Sequence, residues 1–282
     1  MKRKNRILAG LLILVLMATM GATAFAEEQE EDWAKVYEAH YYKGQLSYEF
    51  EYFYTPEGKT AEVRTHTLNS DGTETLEFEI YFYNQEDQIT RTETRDAETE
   101  EVLESSVWEY DENGRLKRIL RYGAEGSLQH EQRNFYSPEG TSTIRSISYD
   151  DNGEVLSQWV TRYNEFHESY YTASFDEDGE RVYVMETEFD EDGRKVSGTH
   201  EGYGSSSVLR YLYDAEGVLQ ESIETQMSGY AEGRVTRTLY YYDKHGNVTE
   251  ELSLMDGEVT SRTVRTWILR GEASGTGTVS ND

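Results

Sequence analysis

Tyr110-Asp111-Glu112-Asn113-Gly114-Arg115-Leu116 is a complete instruction for reversing a chain. The Asp carboxylate can accept a hydrogen bond from the backbone N–H two residues on, and the next two positions suit type I geometry. Gly then supplies the left-handed conformation that closes a type I turn with a G1 bulge, where a Cβ would cost about 1–2 kcal/mol. The same frame of aromatic, usually a turn acid or hydroxyl, two further residues and Gly stands at 54–58, 122–126 (with Gly123 in the second place), 136–140, 149–153, 175–179, 189–193, 213–217 and 242–246. The only two prolines, Pro56 and Pro138, both fall where type I geometry wants φ near −65°.

Outward from these copies, weaker ones lie near Gly72, Asp87, Thr99, Phe166, Gly204, Gly233 and Gly257, with Gly44 in phase before the first. Turns recur about every 13 residues, which is a repeat architecture before it is anything else. Positions 58, 87, 114, 140, 166, 193, 217 and 246 form one edge, and 72, 99, 126, 153, 179, 204, 233 and 257 the other. A meander with turns alternating between two edges, strands of about eight residues and roughly 17 or 18 strands reproduces this spacing.

The segments between turns alternate in polarity. Leu46, Tyr48, Phe50, Tyr52 and Tyr54 share one face against Ser47, Glu49 and Glu51; Leu76, Phe78, Ile80 and Phe82 oppose Glu77, Glu79 and Tyr81. An open sheet this wide would expose a long apolar face, so the expected fold is all-β: a single large, strongly curved antiparallel meander of about 17 hairpin-linked strands, rolled or solenoid-like, with aromatics on its concave side. Trp33, Val36, Tyr37 and His40 fit a helical face, but the in-phase Gly44 favours a first strand over 33–42.

The string Tyr-Asp-x-x-Gly-[Arg/Asn/Glu]-[Leu/Val], as in Tyr110 to Leu116 and Tyr242 to Val248, resembles the YD repeat of the RHS/YD-repeat proteins over residues 45–260. That resemblance implies a β-sheet shell of the kind that encloses a C-terminal toxin or displays an adhesive surface. The chain is far shorter than such a shell, and only a short tail follows Leu269, so the architecture is what carries over. A weaker likeness is to choline- and glucan-binding cell-wall repeats, which are richer in Trp and have a longer period.

Residues 1–26 read as a secretory signal peptide: Lys2, Arg3, Lys4 and Arg6, an apolar run from Ile7 to Met17, and the small-x-small site Ala24-Phe25-Ala26. The expected organisation is then an acidic N-terminal segment at 27–44, the repeat domain at 45–270 and a disordered tail at 271–282. The full chain carries 27 Lys+Arg against 55 Asp+Glu, a net charge of −28; loss of the four leader cations leaves −32. Such a charge repels phosphate backbones and excludes a nucleic-acid partner. Absence of cysteine removes disulfides, thiolate metal sites and thiol nucleophiles. A mean hydropathy of −0.79 and charges on both faces, such as Glu186 and Glu188 near Arg181, argue against an integral membrane protein, outer-membrane barrels included.

Chemistry is sparse. The six His are scattered without an H-E-x-x-H, and no G-x-S-x-G elbow or phosphate loop occurs, so no enzymatic activity and no cofactor are expected. Asp176-x-Asp178-Gly179 and Asp190-x-Asp192-Gly193 resemble the middle of a calcium loop, but Met185 and Thr199 stand where the bidentate Glu would be; these four Asp are turn acids with weak calcium binding as the alternative. The tyrosine runs leave a binding reading, with Tyr52, Tyr54, Tyr81, Tyr83, Tyr240 and Tyr241 as rings that stack on sugars. The sequence thus predicts a secreted, extracellular, non-enzymatic module that binds a cell-surface glycan or an extracellular protein over a sheet face. The alternative is a structural or shielding envelope protein assembling through the edges at 33–42 and 259–269.

Overall fold

The computed structural model describes residues 33–69, 71–137 and 143–270. The expected signal peptide, residues 27–32 of the acidic segment and the tail at 271–282 lie outside them, as does most of the turn around Gly140.

Eighteen strands follow one another without an intervening helix. They are β1 (Trp33–Tyr42), β2 (Gln45–Tyr54), β3 (Thr60–Leu68), β4 (Glu74–Tyr83), β5 (Ile89–Asp96), β6 (Val102–Tyr110), β7 (Leu116–Gly123), β8 (Leu128–Tyr136) and β9 (Thr143–Asp150). The second half is β10 (Val155–Tyr163), β11 (Ser169–Phe175), β12 (Arg181–Phe189), β13 (Lys195–Gly202), β14 (Ser205–Tyr213), β15 (Leu219–Ser228), β16 (Val235–Tyr242), β17 (Val248–Met255) and β18 (Glu258–Leu269). The segment 33–42 is therefore a strand, as the phase of Gly44 indicated.

Each strand pairs antiparallel with the next, and β18 pairs antiparallel with β1, from Trp33↔Leu269 to Tyr42↔Ser261. The sheet is thus a closed up-and-down barrel, which corrects the expectation of an open curved sheet or solenoid. The two strands expected as free edges are each other's partners, because a row of unpaired N–H and C=O groups is costly to leave beside a matching row. Side chains reinforce the seam: Arg265 Nε donates to Glu38 at 2.6 Å, and Thr263 Oγ1 lies 3.0 Å from His40 Nδ1.

The turns close as their chemistry dictates. In 55–58, Gly58 N donates to Thr55 O at 2.9 Å with Gly58 at φ 81°. Asp214 Oδ1 accepts from the backbone N–H of both Glu216 and Val218. Where glycine is missing, Asp87, Glu100 and His167 adopt the left-handed conformation instead, one residue beyond the expected positions 99 and 166 in the last two cases. Lys43-Gly44, Tyr203-Gly204 and Asp256-Gly257 are two-residue turns with both φ positive, all on the edge that carries Gly72 and Gly126.

The motif aromatic points inward on one rim and outward on the other. Successive turns share one local geometry, but the chain reverses direction between them while its progress around the barrel does not. Identical hairpins therefore aim their leading residue at opposite faces. Tyr54, Tyr83, Tyr110, Tyr136, Tyr163, Phe189, Tyr213 and Tyr242 share one face through the cross-strand register, whereas Tyr122, Tyr149 and Phe175 lie on the other. The parity of each strand follows from its motif residue. On β4, Tyr83 places Tyr81, Glu79 and Glu77 on its own face and Leu76, Phe78, Ile80 and Phe82 on the opposite one, so the most apolar parity of β4 is not the concave one.

Exposure identifies which face is inside: on the face opposite the motif tyrosines Phe82, Phe135, Leu212 and Tyr241 stand 40–48% exposed, whereas the rings of the motif face are half-buried, and the electrostatics agree. Burial is the leading influence on every shifted tyrosine of the motif face, from Tyr48 and Tyr52 to Tyr240 and Tyr242. On the other face the shifts of Glu131, Glu221 and His66 come first from a hydrogen-bonded partner. The motif face is enclosed, and the second face is the convex exterior.

Candidate functional site

The inner face is built in alternating columns. Even-numbered strands carry large rings there, such as Tyr52 and Tyr54 on β2, Tyr81 and Tyr83 on β4, and Tyr240 and Tyr242 on β16. Odd-numbered strands carry mostly small hydroxyl or glycine positions, such as Thr65 on β3, Thr92 and Thr94 on β5, Ser146 and Ser148 on β9, Thr172 and Ser174 on β11, and Gly198 on β13. Large against small across neighbouring strands lets rings tilt over the gaps.

At one rim this tilt is fixed by hydrogen bonds. Six motif tyrosines donate their phenols to backbone carbonyls on the preceding strand, beginning with Tyr54 to Lys35 at 2.6 Å, Tyr83 to Thr60 at 2.8 Å, Tyr110 to Ile89 at 2.8 Å and Tyr136 to Leu116 at 2.7 Å. Tyr213 to Lys195 at 2.8 Å and Tyr242 to Leu219 at 2.6 Å continue the series, and Trp267 Nε1 to Val248 at 2.8 Å completes it on β18. Cations from neighbouring turns, and Arg270 just beyond β18, cover several rings: Lys59 over Tyr83, Arg115 over Tyr136, Arg194 over Tyr213 and Arg270 over Tyr54. Burial pushes the phenols of Tyr54 and Tyr242 up to about 12, so the girdle stays neutral and able to donate.

A circular ring of 18 strands, spaced about 4.8 Å and tilted near 40°, is about 35 Å across, too wide for one layer of side chains to close. The inner rings Tyr52, Tyr81, Trp108, Trp159, Tyr183 and Tyr240 are accordingly half-buried, and of the few buried apolar residues only Val63 lies on the inner face.

Charge divides the interior into two arcs. The inner positions of β15 to β18 and β1 to β7 include Glu38, Glu77, Glu79, Glu104, Glu224 and Glu251 with Lys35, Arg121 and Arg265. Between the rims, those of β8 to β14 hold no Asp, Glu, Lys or Arg. In the acidic arc burial raises Glu38, but hydrogen bonding from His40 at 2.7 Å and the charges of Lys35 and Arg265 outweigh it and hold the carboxyl well below the usual range. Burial raises Glu79, which accepts from Tyr81 Oη at 2.5 Å. The neutral arc is a hydrogen-bonded amide and hydroxyl wall, with Gln132 Nε2 donating to Asn134 Oδ1 at 3.0 Å and Ser146 Oγ to the same oxygen at 2.7 Å.

The outer face carries ion pairs in strand interiors: Arg64 with Glu62, Arg91 and Arg95 with Glu93, Arg118 and Arg133 with Glu131, Arg237 with Glu221, and Arg262 with Glu250.

Of the rings singled out in the sequence, Tyr52, Tyr54, Tyr81, Tyr83 and Tyr240 lie together on the inner face, spread over three strands. Tyr241 faces outward with 44% of its surface exposed. Asp176 Oδ1 accepts from the N–H of Asp178 and Glu180; Asp190 does the same for Asp192 and Arg194, while Asp192 pairs with Arg194 at 2.7 Å. Among the described residues no group of three or more His, Asp or Glu is arranged to hold a metal ion. Sequence reading passed over Trp108, Trp159, Tyr183 and Tyr211, whose signal was their even spacing back from a motif aromatic.

No protein-family model matches the chain, and no curated protein does. Among solved structures, a porin-like protein from Bacteroides uniformis is 11% identical over 84% of this chain and 98% of its own, with a TM-score of 0.44. The Tc holotoxin pore of Photorhabdus luminescens is 14% identical over 79% of this chain, with a TM-score of 0.34, and TcdB2–TccC3 is 12% identical over 78%, with 0.30. The chain spans only 14% and 15% of those two toxin chains. Among the described residues no helix is long and apolar enough to cross a membrane.

Proposed function

We propose that this protein is an exported, non-enzymatic binding module that takes a glycan against the inner face of a water-filled barrel. The observation that carries the reading is the half-buried aromatic and hydroxyl lining: rings offer flat apolar faces to sugar C–H groups, and hydroxyls and amides between them meet sugar hydroxyls. The rim girdle holds that lining open, since seven of its rings are tied to backbone and not to a ring opposite. The belt of Arg–Glu pairs outside favours a barrel standing in water, because a lipid-facing band cannot carry ionised pairs at mid-height without large cost. Assembly through sheet edges loses its basis once β1 and β18 pair, and an extracellular protein partner would have to engage the rims or the charged exterior.

Co-sedimentation of residues 27–282 with peptidoglycan, insoluble polysaccharides and intact cells tests the reading. Saturable pull-down by a polysaccharide is expected, and failure to bind any of them would contradict it.

A further inference from the structure

We infer that the neutral arc holds a stacking track for an uncharged glycan, formed by Trp159, Tyr183 and Tyr203 and entered from the rim of the Tyr203-Gly204 turn. The inference rests on the glycan-binding reading and assigns the site and the class of ligand within it.

Trp159 and Tyr183 stand directly opposite Ser174, one on each side. The small serine, 2% exposed, lets the two rings approach to 5.8 Å between centroids and cover it. Tyr183 continues to Tyr203 at 6.5 Å and to His200 at 5.0 Å, and Ser207 lies 3.3 Å from His200 Nδ1. Ring steps of this size are about the length of one pyranose residue. The imidazole and hydroxyl beside the rings supply the polar contacts that a stacked sugar needs at its edge.

Tyr203 is the second observation. It occupies the first position of a two-residue turn at φ 51°, where Asn or Gly is favoured and a bulky aromatic is strained, and 77% of its surface is exposed. Folding gains little from a largely exposed ring in a strained turn, whereas a mouth-side platform in line with Tyr183 does gain from it. The opposite wall has its own ladder, His40 to Tyr48 at 4.3 Å and Tyr48 to Phe50 at 5.4 Å, but it is embedded among Glu38, Arg265 and Lys35. A net charge of −28 and the acidic arc repel an anionic glycan, which leaves uncharged chains as the ligand class.

The test is tryptophan fluorescence titration of the purified protein with cellohexaose, maltohexaose and xylohexaose, and with oligogalacturonate as the anionic counterpart. At least one neutral hexasaccharide should bind saturably, with Kd rising about tenfold or more in Trp159→Ala and Tyr183→Ala, read by calorimetry, and within twofold of wild type in Phe50→Ala. Tyr203→Asn separates binding from folding: it should weaken binding several-fold while its melting temperature stays level or rises. Neutral binding that survives all three track substitutions overturns the assigned site and leaves the glycan reading standing. Oligogalacturonate binding as tightly as the neutral chains overturns the ligand class. Absence of binding to every neutral and anionic chain, here and in the co-sedimentation assay, overturns both the track and the glycan reading.

Discussion

At the scale of single residues, nearly every motif position has one physical task, and departures from the motif are the informative cases. Phe189 sits where seven other even strands place a Tyr or Trp that donates to the previous strand's backbone, and it has no hydroxyl to give. Phe189→Tyr should add a bond to the Ser169 carbonyl worth about 0.5–1.5 kcal/mol, and Tyr110→Phe should lose a similar amount; chemical denaturation of both variants checks the pair. His167 holds φ 60° without the freedom of glycine. His167→Gly should raise stability by about 0.5–1 kcal/mol, whereas Gly193→Ala should cost more than the usual 1–2 kcal/mol, because its Cβ would meet the Phe166 ring at 2.9 Å. These positions were legible in the sequence, since a turn without glycine in a glycine-turn repeat announces itself. The exact left-handed residue was not, because Thr99-Glu100 and Phe166-His167 offer two adjacent candidates and only the bulge register chooses between them.

At the scale of strands, the two faces differ in how they hold charge, and pH separates them. Hydrogen bonds from Arg133 and then Arg118 bring Glu131 down to about 2 against burial. Its folded pKa is depressed, so its contribution is present above the ordinary Glu value near 4.5 and fades as pH falls toward 2. Glu131→Gln should melt about 1–3 °C below wild type at pH 7, with the gap closing toward pH 2. Glu79 is raised by burial, which reverses the sign: its folded state is favoured at low pH and loses that advantage as pH rises through the raised pKa. Glu79→Gln should match wild type near pH 4 and melt above it at pH 7. Calorimetric scans across pH would catch opposite slopes in the two variants; parallel slopes would contradict the assignment of inner and outer faces. That assignment was only half legible beforehand. Alternation was plain in β2 and β4, but Phe78, Ile80 and Phe82 made the outer parity of β4 look like the buried one. The motif tyrosine, and the reversal of its direction between rims, decides the matter, and apolar content does not.

At the scale of the molecule, closure is the step from pattern to function. Eighteen strands in one ring enclose an aromatic interior; the same strands in an open sheet would expose it. The meander, the strand count and the two rims were written in turn spacing. Nothing local in 33–42 or 258–269 marks these segments as partners, because pairing between chain ends depends on the curvature accumulated over all the strands between them. The seam is therefore where the account is most exposed to test, and the lack of native cysteine makes the test clean. Ala39 and Val264 face each other across β1 and β18. In the Ala39→Cys, Val264→Cys variant, mild oxidation of dilute protein should yield an intramolecular disulfide in the monomer, read by mass spectrometry and mobility on non-reducing gels. Free thiols throughout, or cross-links found only between chains, would mean that the two strands do not meet and that the barrel is open.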